Sequence, residues 1–172
     1  LATLLALQGR RVALIDTAFQ TPSIHLFFGL SDEEIPHALN DYLLDKCDIL
    51  SAVHDVTPRL AGDVKGSLFV IPASNKIADI MQVIRTPLNI DRYVDGLEKL
   101  GKELSLDIIL VDTPAGLNED TLQAIAASNA VVLVLHPDKR DFQGTAVTVD
   151  MIRRLQIPAI HLVLNNVPET LD

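Results

Sequence analysis

Two apolar runs in this chain end in the same way, at an aspartate followed by a threonine. Residues 106–117 read LDIILVDTPAGL, and their apolar run stops at Asp112. An uninterrupted apolar run is typical of a strand that is covered on both faces in a parallel sheet. The run that begins at Val12 likewise stops at Asp16. Because ligands of open α/β sheets bind beyond the carboxyl ends of the strands, the two carboxylates predict a site for a metal-bound ligand.

The turn after Asp112 supports this interpretation but leaves a simpler one open. Gly116 follows four residues later, and a glycine allows a backbone N–H to approach a phosphate closely. Asp112 also fits a structural role, because aspartate commonly caps a turn or the start of a helix. The second run, with its own Asp16, favours the ligand site.

The spacing of apolar residues predicts alternating strands and helices. Five apolar runs predict strands, which end near residues 16, 71, 111, 135 and 164. Helical patterns lie between them, at 1–8, 76–84, 90–104, 118–127 and 143–155, and Ser31 opens a further helix with a capping box. Since no short hairpin turn joins the strands, we expect an α/β fold with a doubly wound, mostly parallel sheet and helices on both faces. With 172 residues, the chain is predicted to form a single domain over 1–172.

Composition excludes several classes of protein. The net charge is −9 and no Lys/Arg run exceeds two residues, so the chain encodes no broad basic face for nucleic acid. Cys47 is the only cysteine, which rules out an internal disulfide. Packing is its ordinary role, and a metal shared across a dimer is the alternative. The sequence shows no signal peptide, and no apolar run approaches the roughly 20 residues that a membrane span requires.

Four segments together resemble one known family. They read LALQGRRVALIDT, DIILVDTPAGLNEDTL, AVVLVLHPD and HLVLNNV, in that order. They are similar to the MinD/ParA family of deviant Walker A P-loop ATPases, and the resemblance covers nearly the whole chain. It implies an ATP- and Mg²⁺-dependent homodimer that works with a protein partner or activator in positioning chromosomes, plasmids, the division site or other cargo. It also implies a cytoplasmic protein and leaves peripheral membrane or nucleoid association open, although no membrane or DNA contact is encoded in these residues.

The resemblance assigns roles to particular residues. Asp112 would be the Walker B carboxylate that holds a water on Mg²⁺. Pro114 and Gly116 belong to the family's Asp-x-Pro-x-Gly turn, in which the glycine N–H faces the terminal phosphate. Asn165 would recognise adenine, with Asn166 as a substitute, although an Asn pair also fits a simple turn.

Two departures from the family pattern matter for activity. The glycine-rich loop with two lysines, and the strand that feeds it, do not occur among these residues, so we expect a truncated domain that lacks its first strand. Asp16 matches the first carboxylate of the family's Asp-x-Asp and is predicted to act in catalysis and in the Mg²⁺ shell. Ala18 replaces the second carboxylate, whose loss typically lowers the rate by a factor of about 10²–10⁴.

Ala18 keeps a second function open, namely a non-hydrolysing nucleotide-binding scaffold. A metal-cluster carrier ATPase is disfavoured, since the sequence has no Cys-x-x-Cys pair. His136 lies at a strand end beside the predicted site, where a packing or surface role is the simpler interpretation. The helix after it has the pattern of a solvated helix, and the resemblance would place it near the dimer face.

Overall fold

The computed structural model describes residues 1–86 and 89–167, apart from the side chains of residues 139 and 140. It divides the chain into two compact units, Leu1–Pro114 and Ala115–Asp172. The single domain over 1–172 stays a prediction. Pro87 follows the helical pattern at 76–84, which a proline cannot continue, and it lies outside the described residues.

The first unit is built on a four-stranded sheet with the order β2-β3-β1-β4. β1 is parallel to both of its neighbours, whereas the short β2 is antiparallel to β3. The strands are β1 (Arg11–Asp16), β2 (His54–Asp55), β3 (Ser67–Ile71) and β4 (Ile108–Asp112). The α-helices of this unit are α1 (Ala2–Leu7), α2 (Ile24–Phe27), α3 (Leu39–Leu43), α4 (Ile77–Arg85) and α5 (Ile90–Glu103).

β1 lies inside this unit because its side chains belong to hydrophobic clusters on both faces of the sheet. Val12 packs in one cluster with Ala6 of α1. Ala13 and Ile15 pack in the other with residues of α3 and α5, such as Leu100. All five of these residues are fully buried, so each side chain contributes the free energy of complete removal from water. Helices therefore cover both faces, which explains why β1 is continuously apolar.

The second unit is a parallel strand pair connected through a helix. β5 (Ala130–Leu135) pairs with β6 (Ala159–Leu164) over the full length of both strands. α7 (Lys139–Arg154) joins them, as the crossover of a parallel pair requires. α6 (Glu119–Ala126) precedes the pair, and the side chain of Asn118 caps it by accepting a hydrogen bond from the Thr121 N–H at 2.8 Å.

The predicted α/β class, with a mixed, mostly parallel sheet and helices, is confirmed. The strands at 130–135 and 159–164 have their predicted bounds, and α7 begins four residues earlier than the predicted position 143. The strands form a four-stranded and a two-stranded sheet. This division was not predicted, because apolar runs predict strands but not which strands are neighbours. β2 was not predicted, since it has only two residues and both are polar.

The segment after Ser31 differs from the prediction in its extent. The capping box is present, with the Ser31 N–H donating to Glu34 Oε2 at 2.9 Å. The helix is only a 3₁₀ turn over Asp32–Glu34. Pro36 accounts for the early stop, because the residue before a proline is disfavoured in the α conformation.

Among the described residues, the structure contains no helix with the length and apolar character needed to cross a membrane.

Helices α3 and α5 are held together at one close contact between Tyr42 and Arg92. The Tyr42 hydroxyl donates to the Arg92 carbonyl at 2.7 Å, and Arg92 Nε donates to the Tyr42 carbonyl at 2.6 Å. The guanidinium carbon also lies 4.1 Å from the centre of the Tyr42 ring, a cation–π contact. Gly96 makes this approach possible, because a Cβ there would lie 2.7 Å from Tyr42 Cε1.

We expect Gly96→Ala to lower the free energy of unfolding by about 1–3 kcal/mol, since the ring is held by Arg92 and cannot move aside without cost. Gly101→Ala is the matched control on the same helix, where a Cβ meets no atom within 4 Å. It should raise stability by up to about 1 kcal/mol through helix propensity. Urea denaturation of both variants measures the difference, and an equal gain in both would contradict this account of Gly96.

Candidate functional site

The two predicted carboxylates are neighbours at one edge of the first unit's sheet. β1 and β4 run parallel, and the Cα atoms of Asp16 and Asp112 are partners in the register. Each residue is the last of its strand. The parallel register therefore brings two negative charges to the carboxyl ends of adjacent strands. The sequence predicted two carboxylates at strand ends of one sheet, but not that the two strands are neighbours.

Asp112 is the more accessible of the two. Its side chain is exposed, yet its carboxyl is in an unfavourable electrostatic position. Partial desolvation raises the pKa of Asp112 above its ordinary value, and the negative charge of Asp16 raises it further. A bound cation offsets both effects, because an opposite charge favours the ionised carboxyl.

Asp16 is fully buried, and its carboxylate organises the loop that follows β1. Oδ1 accepts a hydrogen bond from the Ala18 N–H at 2.9 Å. Oδ2 accepts from the N–H groups of Ser23 at 3.1 Å and Ile24 at 3.2 Å. Both oxygens are thus used by backbone donors of residues 18–24. The predicted role of Asp16 in catalysis and in the Mg²⁺ shell stays a prediction.

Thr17 connects the two strand ends, a contact that sequence reasoning missed. Its N–H donates to the Asp112 carbonyl at 3.0 Å, and its hydroxyl donates to the same oxygen at 2.7 Å. Thr17 is only 4% exposed. The one signal in the sequence is the Asp-Thr pair itself, which does not reveal where the hydroxyl points.

These residues fit a Mg²⁺ ion that is held mainly by other ligands. Within 1–86 and 89–167, no group of three or more His, Cys, Asp or Glu side chains is arranged to hold a metal ion. Magnesium commonly keeps several waters and binds through one or two carboxylates together with substrate phosphates. Asp112 supplies such a carboxylate. A closed protein cage, as for structural zinc, is not what this donor set provides.

The turn after β4 contains the predicted phosphate-facing glycine. Gly116 has a φ of +89°, a conformation that glycine adopts without strain, and it is exposed. A Cβ there would meet no atom within 4 Å, so the backbone conformation and not crowding favours glycine. Pro114 ends the first unit and Gly116 belongs to the second. Their nucleotide-binding roles stay predictions.

The Asn pair after β6 divides into two roles. Asn165 continues the ladder, since its N–H donates to the Leu135 carbonyl at 2.9 Å, and its side chain is exposed. Asn166 has a φ of +54°, a left-handed conformation in which asparagine is enriched. The turn therefore explains Asn166 but leaves the side chain of Asn165 available. Adenine recognition by Asn165 stays a prediction.

His136 and Cys47 have structural contacts. The His136 N–H donates to Asp141 Oδ2 at 2.8 Å, and its ring Nδ1 lies 3.2 Å from the same oxygen. These two bonds lower the pKa of Asp141 and fix the start of α7. Cys47 packs against the hydrophobic cluster that contains Ile15.

Comparison with curated proteins identifies relatives over almost the whole chain. An ATP-binding protein of Methanocaldococcus jannaschii is 26% identical over 167 residues, which are 97% of this chain and 57% of that protein. The septum site-determining protein MinD of Synechocystis is 26% identical over 166 residues, 96% of this chain and 56% of that protein. The chain thus spans a little over half the length of these relatives.

Solved structures share the fold. MinD of Pyrococcus horikoshii, complexed with Mg-ADP, matches with a TM-score of 0.77 at 19% identity over 98% of this chain and 63% of that one. A plasmid partition protein of Borrelia burgdorferi matches with a TM-score of 0.76 at 20% identity over 99% of this chain and 71% of that one. At these identities, the likeness shows the fold alone.

A family model described as an AAA domain matches residues 1–162. The chain belongs to this AAA domain family and, within it, to the MinD/ParA family of P-loop ATPases. The resemblance predicted from the four segments is confirmed.

We expect Asp112→Asn to stabilise the isolated chain at neutral pH. Because the folded pKa of Asp112 is raised, its protonated form favours folding, and that contribution is lost as the pH rises through the folded pKa. Removing the charge should therefore raise the free energy of unfolding at pH 7. The gain should stay below about 1 kcal/mol, since solvent screens an exposed carboxyl.

Urea denaturation at pH 7 and below pH 3.8, the ordinary value for this carboxyl, tests the effect. The gain of Asp112→Asn should disappear at the lower pH. Asp63→Asn removes an exposed charge outside β1 and β4 and serves as the control. A gain that does not depend on pH, or one that Asp63→Asn reproduces, would count against repulsion between the paired carboxyls.

Proposed function

We propose that this protein is an ATP-binding and ATP-hydrolysing switch of the MinD/ParA type. The observation that supports this most directly is the exposed Asp112 at the end of β4, in register with Asp16 at the end of β1. A carboxylate beyond the end of a parallel strand is where open α/β sheets bind ligands. Membership of the family makes ATP with Mg²⁺ the ligand that suits this site.

In this proposal Asp112 would hold a water of the Mg²⁺ shell, and the ion would supply positive charge beside the phosphates. Asp16 holds residues 18–24 in place through its three backbone hydrogen bonds. The N–H of Gly116 would face the terminal phosphate, and the Asn165 side chain would recognise adenine.

The proposal also includes an ATP-dependent homodimer in the cytoplasm. ATP would act as a ligand that shifts a monomer–dimer population, and hydrolysis would reset it. The dimer would bind a protein partner or activator and serve in division-site placement, or in chromosome or plasmid partitioning. The relatives support this cellular role, since one is named a septum site-determining protein and one structural neighbour is named a plasmid partition protein.

One observation favours a second candidate, a nucleotide-binding scaffold that does not hydrolyse ATP. Ala18 is half-buried, and its N–H is bound to Asp16, while its methyl group offers no acceptor for an attacking water. A positioned base typically contributes a factor of about 10²–10⁴ to the rate. The two candidates therefore differ in turnover and agree in ATP binding.

The deciding experiment measures Mg²⁺-dependent ATP binding and phosphate release by the full-length gene product. We expect the parent to turn over ATP, and Ala18→Asp to change the rate by less than about tenfold, because another group positions the water. Ala61→Asp, at an exposed loop position, controls for the added charge. Turnover that appears only in Ala18→Asp would favour the scaffold, and failure to bind ATP would remove both candidates.

A further inference from the structure

We propose that Thr17 is a positioning residue that couples the loop after β1 to the metal-binding carboxylate on β4. This inference rests on the proposed function, because it concerns how Asp112 is held for its Mg²⁺ ion. It adds a residue that neither the family pattern nor the paired carboxylates point to.

The contact between Thr17 and Asp112 is stronger than a parallel ladder requires. The Thr17 N–H alone, at 3.0 Å from the Asp112 carbonyl, already continues the ladder by one residue. The hydroxyl adds a second and shorter bond to the same oxygen, at 2.7 Å. A carbonyl oxygen has two lone pairs, so both donors can be accommodated at once. The main chain of Asp112 is thereby held at the residue whose side chain would contact the Mg²⁺ shell.

The residue directly before Thr17 is tied to the loop 18–24. This residue, Asp16, accepts hydrogen bonds from the N–H groups of Ala18, Ser23 and Ile24. Asp16 and Thr17 thus have different targets: the carboxylate binds its own loop, and the hydroxyl binds the neighbouring strand. Since Asp16 is fully buried and Thr17 is 4% exposed, water does not compete strongly for either set of bonds. Thr17 therefore links the main chain of Asp112 to the residue that anchors this loop, in addition to the ladder between β1 and β4.

A purely structural threonine is the competing explanation, and it makes a different prediction. β-branched residues suit strand positions, so valine preserves the shape of Thr17 and removes only the hydroxyl. Under the structural explanation, Thr17→Val alters stability and leaves Mg²⁺ binding unchanged. Under the positioning explanation, the loss appears in the Mg²⁺ requirement, as it does for other residues that orient a metal ligand.

The experiment uses the full-length gene product and measures the Mg²⁺ concentration that half-saturates ATP binding, together with the thermal midpoint of unfolding. We expect Thr17→Val to raise this Mg²⁺ concentration by at least about tenfold. Thr17→Ser keeps the hydroxyl and should stay within about threefold of the parent. Thr57→Val is the matched control, because Thr57 Oγ1 accepts from the Leu68 N–H at 2.9 Å in the same unit, outside the candidate site.

The outcomes separate this inference from the proposed function. If the parent shows no Mg²⁺-dependent ATP binding, the proposed function fails, and this inference fails with it. If the parent binds and Thr17→Val has the parental Mg²⁺ requirement, the inference alone is overturned. It is also overturned if Thr57→Val shows the same shift, since the effect would then follow from stability.

A measurement on the parent protein keeps the test independent of how Thr17→Val folds. The backbone amides of Ala18, Ser23 and Ile24 report the state of the loop by hydrogen exchange. We expect Mg-ATP to change their exchange rates by at least about fivefold, the lower range of ordinary coupling between sites. Unchanged rates in a protein that binds Mg-ATP would overturn the coupling.

Discussion

The parallel register between β1 and β4 sets the chemistry of the whole site. It places Asp16 opposite Asp112, so two like charges lie at adjacent strand ends. The structure treats the two carboxyls differently. Asp16 is removed from water and stabilised by three backbone donors. Asp112 remains exposed, and its pKa is raised by partial desolvation and by the charge of Asp16. A cation beside Asp112 would favour its ionised form and offset the repulsion between the two carboxylates.

The fold carries less functional information than the strand ends do. A parallel sheet with helices is a scaffold that hosts many unrelated activities, so function has to be argued from particular side chains. Asp112 ends β4, Gly116 lies in the turn after it and Asn165 follows β6, and such strand ends are where these scaffolds hold ligands. Asp112 belongs to one compact unit and the other two residues to the second.

Most of the helices and strands could be predicted from the sequence, because their patterns of apolar residues are local. β5 and β6 are apolar runs with sharp limits, and α5 has an apolar stripe at helical spacing. The two carboxylates at strand ends were predicted from two similar apolar runs, whereas their pairing in the register was not. The division of the strands into two sheets could not be predicted, since hydrogen-bonding partners of strands are set by tertiary contacts.

The site was predicted less completely than the fold, for a related reason. A sequence shows which side chains can bind, but not whether nearby backbone groups already occupy them. Asp16 matches the first carboxylate of the family's Asp-x-Asp, yet both of its oxygens accept hydrogen bonds from the loop backbone. Thr17 has no distinctive pattern at all, and only its position beside the Asp112 carbonyl reveals the second hydrogen bond.

The bond between Asp16 and position 18 has an evolutionary consequence. Asp16 binds the N–H of Ala18 and makes no use of the side chain there. Since every residue except proline offers that N–H, substitutions at position 18 leave the loop's anchoring bond in place. A single base change between Asp and Ala codons can then add or remove a carboxylate without dismantling the loop. A lineage with this architecture can therefore vary the charge at position 18 while its fold stays under unchanged selection.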